Sequence, residues 1–321
     1  MKRVIITGAT GFIGANLARR LLCDGHDINL LVPPKYNPWR IAEIRTDAHI
    51  YEVDLTNGEA LASIAANIRP DWVFHLAAHG AYSWQTDIRQ MAQTNIIGTI
   101  NLVEACLKTG FEAFVNTGSS SEYGFKDHAP HETEWLEPNS YYAVTKASAT
   151  LFCRYIAQSR GVRLPTLRLY SIYGPYEEPT RLIPTLILQA LKGNLPPLVN
   201  PDIARDYTYV EDVNEAYILS AIRSNQEPGA VFNVGTGVQT SIRQVVEIVR
   251  RVLGIAIEPR WGSMSDRQWD TNIWISENQK IRNELGWQPR YTFEQGFRKM
   301  LEWFRSNPHF CNMYYRMHNK I

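Results

Sequence analysis

The opening stretch, MKRVIITGATGFIGANLARRLL, constrains this chain more than any other segment, because an apolar run passes through three regularly spaced glycines into an amphipathic stretch. Val4 to Thr7 reads as a buried strand and Phe12 to Cys23 as a helix, so Gly8, Gly11 and Gly14 belong to the connection between them. Without Cβ atoms in that turn, backbone N–H groups can approach a pyrophosphate at the positive end of the helix. An isolated triplet serves equally well as a close strand-to-helix crossing that needs small residues. The strand–turn–helix context favours the dinucleotide.

The alternation continues down the chain. Strand patterns at Ile28 to Val32, His49 to Val53, Trp72 to Leu76, Ala113 to Thr117 and Leu164 to Leu169 are separated by helical patterns at Leu61 to Asn67, Asp87 to Thr109 and Tyr142 to Gly161. This order predicts an α/β fold, a doubly wound parallel sheet of the Rossmann type. After residue 170 the chain becomes dense in Pro, Gly and Trp, as in YGPYEEPTRLIP and EPRWGSMSDRQWD. A smaller, loop-rich α/β C-terminal lobe is expected there, covering ligands beyond the carboxyl ends of the strands. The expected division assigns 1–170 plus about 206–235 to dinucleotide binding, and about 171–205 plus 236–321 to the substrate-binding lobe. The last stretch, NPHFCNMYYRMHNKI, reads as a terminal appendage.

Charge and cysteine content narrow the partners. With 33 basic against 32 acidic residues there is no overall field to recruit nucleic acid or an anionic membrane, so neither is expected as a partner. Cys23, Cys106, Cys153 and Cys311 form no C-x-x-C pair and read as buried thiols, with no metal site and no disulfide framework. No apolar stretch approaches the roughly 20 residues that span a bilayer, and the N-terminus enters a strand directly. A cytoplasmic location is expected.

The second strand carries information about the cofactor. A carboxylate at its end accepts hydrogen bonds from the ribose hydroxyls and favours NAD. Here INLLVPPKYNPWR places Val32 at that position, no acid follows before Glu43, and Lys35 and Arg40 lie close by. Cations there suit a 2′-phosphate, so NADP is preferred over NAD; the alternative is that both are ordinary solvated charges. Further on, Tyr142 and Lys146 are four apart and share a helix face. An ammonium beside a phenol lowers the phenol's pKa and lets it exchange a proton with a substrate hydroxyl or carbonyl. The preceding strand ends in TGSSSEYG, placing the hydroxyls of Ser119 to Ser121 at the same edge, where one could polarise the reacting oxygen.

In order, TGATGFIG, DL at Asp54 and Leu55, HLAA at His75 to Ala78, YYAVTK, RLYSIYGP, RDYTYVEDV and NVGTG form a specific set. It resembles the extended short-chain dehydrogenase/reductase family, and more narrowly the epimerases, dehydratases and ketoreductases of nucleotide-activated sugars. The resemblance implies that Ser119, Tyr142 and Lys146 are catalytic, with Tyr142 as acid/base and Lys146 also holding the nicotinamide ribose. Besides Lys35 and Arg40, it implies a cofactor site of Gly8, Thr10, Gly11, Phe12, Ile13, Gly14, Asp54, Leu55, Leu76, Ala77, Ala78, Asn95, Tyr142, Lys146, Tyr170 and Ile172, with Asp54 and Leu55 flanking the adenine. It implies a nucleotide-sugar site of His79, Ser120, Ser121, Ser171, Arg181, Leu198, Arg205 and Arg267, the two last as diphosphate contacts. Two alternatives stay open: Asp54 as an N-cap, and Arg205 paired with Asp206 or Asp212. A homodimer, formed by the two long helices pairing with their copies, is also implied.

The chain departs from the family pattern in two places. Family 4,6-dehydratases carry an acidic pair just after the catalytic Ser or Thr; here those positions hold Ser120 and Ser121, and Glu122 falls one place late. Many epimerases have Asn before the YGP step, where this chain has Ser171. The expected activity is therefore NADPH-dependent reduction of a 4-keto sugar nucleotide, with an NAD-dependent 4-epimerase as the alternative. A 4,6-dehydratase and a non-catalytic dinucleotide-sensing regulator rank lower.

Overall fold

A computed structural model describes residues 1–223, 227–264 and 271–318. Its main sheet contains β1 (Arg3–Thr7), β2 (Asp27–Val32), β3 (His49–Glu52), β4 (Trp72–His75), β5 (Ala113–Ser119), β6 (Thr166–Leu169) and β9 (Val231–Val234), in the order β3-β2-β1-β4-β5-β6-β9. Every pairing in this sheet is parallel. The order reverses between β1 and β4, which makes the crevice at their carboxyl ends the topological switch point where ligands of such sheets bind. A second sheet joins β7 (Ser171–Tyr173), β8 (Ala204–Tyr209) and β10 (Gln239–Ser241), with β7 and β8 parallel and β10 antiparallel to β8.

The helices are α1 (Phe12–Cys23), α2 (Gly58–Ile68), α3 (Ile88–Ala92), α4 (Gly98–Thr109), α5 (Tyr141–Arg160), α6 (Leu182–Ala190), α7 (Val210–Ile222), α8 (Ile242–Leu253), α9 (Gln279–Leu285), α10 (Phe293–Ser306) and α11 (Pro308–His318). Apolar residues cover both faces of the main sheet. Val4, Ile6 and Phe74 pack with α1 and α7 on one side, and Ile5, Val73 and Phe114 pack with α2 and α4 on the other. Parallel strands buried on both faces read as continuous apolar runs for this reason. A third core, built around Leu186, Val246, Phe297 and Tyr314, joins α6, α8, α10 and α11.

Two elements differ from the sequence reading. The strand expected to end at Thr117 continues to Ser119, which brings that hydroxyl to the sheet edge itself. The helix expected over Asp87 to Thr109 is interrupted by a π-helical turn at Gln93–Ile97 between α3 and α4.

The glycine turn shows why its residues are small. Gly8 has φ +72°, and a Cβ there would lie 2.5 Å from the Leu76 carbonyl carbon and 2.6 Å from the Ala77 nitrogen. A Cβ on Gly14 would collide with the Gly8 carbonyl oxygen, whereas one on Gly11 would meet only that oxygen, at 3.1 Å. Gly8 and Gly14 are therefore demanded by packing, and Gly11 leaves room for something else. Denaturant unfolding should show Gly8→Ala losing about 3 kcal/mol, from a left-handed backbone plus overpacking, and Gly11→Ala losing less than about 1 kcal/mol. Equal losses would contradict this division of roles.

Candidate active site

Helix α1 begins at Gly11 with no side-chain cap, so the N–H groups of its first turn have no capping oxygen from the N-cap residue. Those groups, the room at Gly11 and the positive helix end fit a pyrophosphate. Phe12 and Ile13 form the half-buried start of that turn. Leu76, Ala77 and Ala78 follow β4, and the Ala77 N–H donates to Thr7 Oγ1 at 3.2 Å. His75 is locked below them, with Nδ1 2.7 Å from Thr7 Oγ1 and Nε2 2.9 Å from Thr99 Oγ1. Burial pushes its pKa down to about 3, which makes it a neutral structural link.

Asp54 is exposed, and its carboxylate accepts from the Thr56 N–H and hydroxyl. The cap of α2 is Asn57, whose side chain accepts from the Ala60 N–H, so the N-cap alternative for Asp54 does not hold. Asn101 Nδ2 donates to the Leu55 and Thr56 carbonyls and fixes this loop. Asn95 lies in the π-turn, buried. Its Nδ2 donates to His79 O and Thr145 Oγ1, both at 2.8 Å, while its Oδ1 accepts from the His79 N–H. One amide thus ties the loop after β4 to α5.

Helix α5 opens on Ser140, which caps it by accepting from the Ala143 N–H. The capped start places Tyr142 in the first turn and Lys146 one turn further, on the same face. Ser119 stands at the end of β5, and its side chain pulls the Tyr142 pKa down. Ser119 Oγ also lies 2.7 Å from Ser121 Oγ and accepts from the Ser121 N–H. Burial raises the Tyr142 pKa to about 12 against the opposing pull of Ser119. This reverses the direction expected from a neighbouring ammonium, and at neutral pH the phenol is a proton donor. Lys146 is only 3% exposed, and burial lowers its pKa while the charge of Glu122 works the other way.

Glu122 is fully buried behind the end of β5. It accepts from Arg168 Nε at 2.9 Å, Thr150 Oγ1 at 3.0 Å and the Ser119 N–H at 2.8 Å. The sequence reading singled out Glu122 only as a displaced acid and missed the partner; an arginine in the middle of the apolar strand TLRL was the available signal. Ser120 is buried beside it and Ser121 half-buried.

The remaining candidates spread along the crevice. Lys35 is exposed in a left-handed conformation, φ +59°. Arg40 is buried. Its Nε donates to Tyr176 O at 2.8 Å, Nη2 pairs with Glu178 at 2.9 Å and Nη1 lies 3.5 Å from Thr10 O. It is not a solvated surface charge. Tyr170 is buried, with a hydroxyl that has no hydrogen-bond partner among the described residues, and Ile172 packs against the main core. Ser171 is half-buried at the start of β7.

Arg181 is exposed at the N-cap of α6, its guanidinium 5.6 Å from the Tyr82 ring centroid, and Tyr82 stacks on Trp84 at 4.6 Å. Arg205 donates to Ala204 O and Thr271 O and lies 5.6 Å from the Trp274 ring. Asp206 accepts from Thr236, Gly237 and Ser276, and Asp212 pairs with Arg290. Leu198 is buried in the third core. Arg267 lies outside the described residues. Among the described residues no cluster of metal-ligating side chains is present, and no helix is long and apolar enough to cross a membrane.

A doubly wound parallel sheet with an uncapped glycine turn at the switch point, and a Ser, Tyr and Lys set on the adjoining edge, defines an NAD(P)-dependent enzyme of the short-chain dehydrogenase/reductase type. Residues 4–235 match the NAD dependent epimerase/dehydratase family, and the chain belongs to that family. It is 28% identical to the trifunctional UDP-glucose 4,6-dehydratase/UDP-4-keto-6-deoxy-D-glucose 3,5-epimerase/UDP-4-keto-L-rhamnose-reductase of Arabidopsis thaliana, over 96% of this chain and 47% of that protein. The chain thus spans about half the length of that relative. Among solved structures it is similar to UDP-glucose 4-epimerase from Thermotoga maritima with UDP-glucose, with a TM-score of 0.85, 27% identity and coverage of 95% and 99% of the two chains. It is also similar to dTDP-glucose 4,6-dehydratase from Bacillus anthracis in complex with NAD, with a TM-score of 0.85, 25% identity and coverage of 97% and 99%.

Breaking the Glu122–Arg168 pair should leave one charge buried and uncompensated. Glu122→Gln and Arg168→Met are each expected to lose about 3 kcal/mol in unfolding experiments, and the double variant less than the sum. Additive losses would show that the two side chains are not coupled.

Proposed function

We propose that this enzyme uses NADPH to reduce a 4-keto sugar carried on a nucleoside diphosphate. The observation that carries this reading is the end of β2, where Val32, Pro33, Pro34 and Lys35 supply no carboxylate for a ribose 2′-hydroxyl and Arg40 lines the adjoining cleft. Gly8, Gly11, Gly14 and the first turn of α1 hold the pyrophosphate, with Leu76 to Ala78 along the dinucleotide. Bound NADPH supplies the hydride to the carbonyl carbon. The protonated Tyr142 phenol delivers its proton to the carbonyl oxygen, Ser119 Oγ donates a hydrogen bond to that oxygen, and the Lys146 ammonium stabilises the phenolate left behind. Arg181 and Arg205 bind the substrate diphosphate.

A dehydratase is disfavoured. Ser120 and Ser121 stand where an acidic pair would act, and Glu122 is committed to Arg168. Incubation with 4-keto sugars of UDP, dTDP, CDP and GDP should consume NADPH in step with product. Tyr142→Phe should lower kcat by about 10²–10⁴-fold while the NADPH dissociation constant stays within about twofold. Isomerisation without net NADPH loss would overturn the reductase in favour of an NAD-dependent 4-epimerase. Unchanged activity in Tyr142→Phe would overturn Tyr142 as the proton donor in both, and a wild type that turns over none of these substrates would leave a dinucleotide-sensing role.

A homodimer belongs to the same proposal. Tyr141, Val144, Leu151 and Tyr155 form an exposed stripe on α5, and Ile88 and Ile97 are exposed on the neighbouring α3 and π-turn. Single exposed apolar residues need no explanation, but a contiguous stripe of this kind calls for a covering partner. Light scattering should give twice the chain mass, and Leu151→Glu with Tyr155→Glu should shift it toward one. A wild-type monomer would refute the dimer.

A further inference from the structure

The last helix lies beyond the stretch that matches the family, and its sequence reads as an appendage. Its side chains nevertheless reach the switch point. A cleft of about 440 Å³ is lined by Thr10 from the glycine turn, Pro33 just after β2, Trp39, Arg40, Glu178 and, from α11, Met317. A space between the glycine turn and the end of the second strand is where the adenosine ribose of a dinucleotide lies.

Helix α11 also holds the groups that hold Arg40. The fully buried Tyr314 donates its hydroxyl to Glu177 O at 2.6 Å and meets the Trp39 ring edge-on, with centroids 5.8 Å apart. Phe310 packs on both Trp39 and Tyr176. Arg40 in turn lies with its guanidinium 4.2 Å from the Trp39 centroid, bonds the Tyr176 carbonyl and pairs with Glu178. Tyr176 has φ +69°, a conformation a tyrosine keeps only when its surroundings impose it. Phe310, Tyr314 and Met317 are spaced four and then three apart, so one helix face supplies both the packing and the cleft lining.

We propose that α11 forms a wall of the cofactor cleft, with Met317 a specificity-determining residue at the 2′-phosphate end of the dinucleotide and Tyr314 a positioning residue for Arg40. The 2′-phosphate part of this inference rests on the NADPH reading above; the wall does not. Met317 carries no charge, so a charge introduced at position 317 adds one unit to the cleft lining beside the Arg40–Glu178 pair.

The test compares Met317→Lys, Met317→Glu and Tyr314→Phe in fluorescence titrations with NADPH and NADH. Met317→Lys should tighten NADPH by about threefold or more and Met317→Glu weaken it by about tenfold, with smaller shifts for NADH, and both effects should shrink as salt is raised. Tyr314→Phe keeps the ring and should weaken NADPH about fivefold more than NADH. A Tyr314→Phe protein that fails to fold leaves the decision with the half-buried Met317 pair. Opposite shifts in both nucleotides, with NADH the tighter ligand of the wild type, would support the wall and overturn the NADPH reading. If the charge at 317 moves neither dissociation constant, α11 is not part of the cleft, whichever cofactor is preferred.

Discussion

The buried carboxylate of Glu122 is the interaction on which the edge of the candidate site depends. It reaches Ser119 at the end of β5, Arg168 in β6 and Thr150 in α5, and thus joins the three elements that bring Ser119, Tyr142 and Lys146 together. Desolvating such a pair costs several kcal/mol per ion, and a pair of well-packed apolar residues could stabilise the fold as well or better. What the charges supply instead is direction. A carboxylate that must satisfy a backbone N–H, a hydroxyl and a guanidinium permits one arrangement of strand and helix, whereas apolar packing tolerates several.

The same logic explains the glycine turn. Gly8 and Gly14 allow β1, β4 and α1 to meet backbone to backbone, and Gly11 keeps the positive end of α1 open. Structural demand and ligand demand are thus carried by different members of one triplet, although the spacing alone presents them as equivalents.

The sheet was legible because parallel strands buried on both faces leave unbroken apolar runs, and each of the expected strands appears within two residues of its predicted limits, β5 by extending to Ser119. Tyr142 and Lys146 were legible because helical spacing places them on one face. Features that depend on partners distant in the chain were not. Arg40 reads as a cation for a 2′-phosphate or as a surface charge, and neither reading foresees Tyr176 and Glu178, some 136 and 138 residues away, as its partners. Leu198, expected in the substrate site, packs into the third core, and α11 looked like a tail because the aromatic surfaces it covers lie in three separate segments. Its Phe310, Tyr314 and Met317 stripe was the one clue in the sequence. Desolvation raises the pKa of the Tyr142 phenol, an effect of burial that spacing does not encode.

The π-turn at Gln93–Ile97 makes irregularity a working part. A helix that accommodates one extra residue turns every later side chain by about 100° relative to a regular one, and Asn95 sits within that offset. From within the widened turn its amide bonds both His79 and Thr145. Straightening this helix, an ordinary step in engineering a more robust enzyme, would swing the amide out of register and release the loop after β4 from α5.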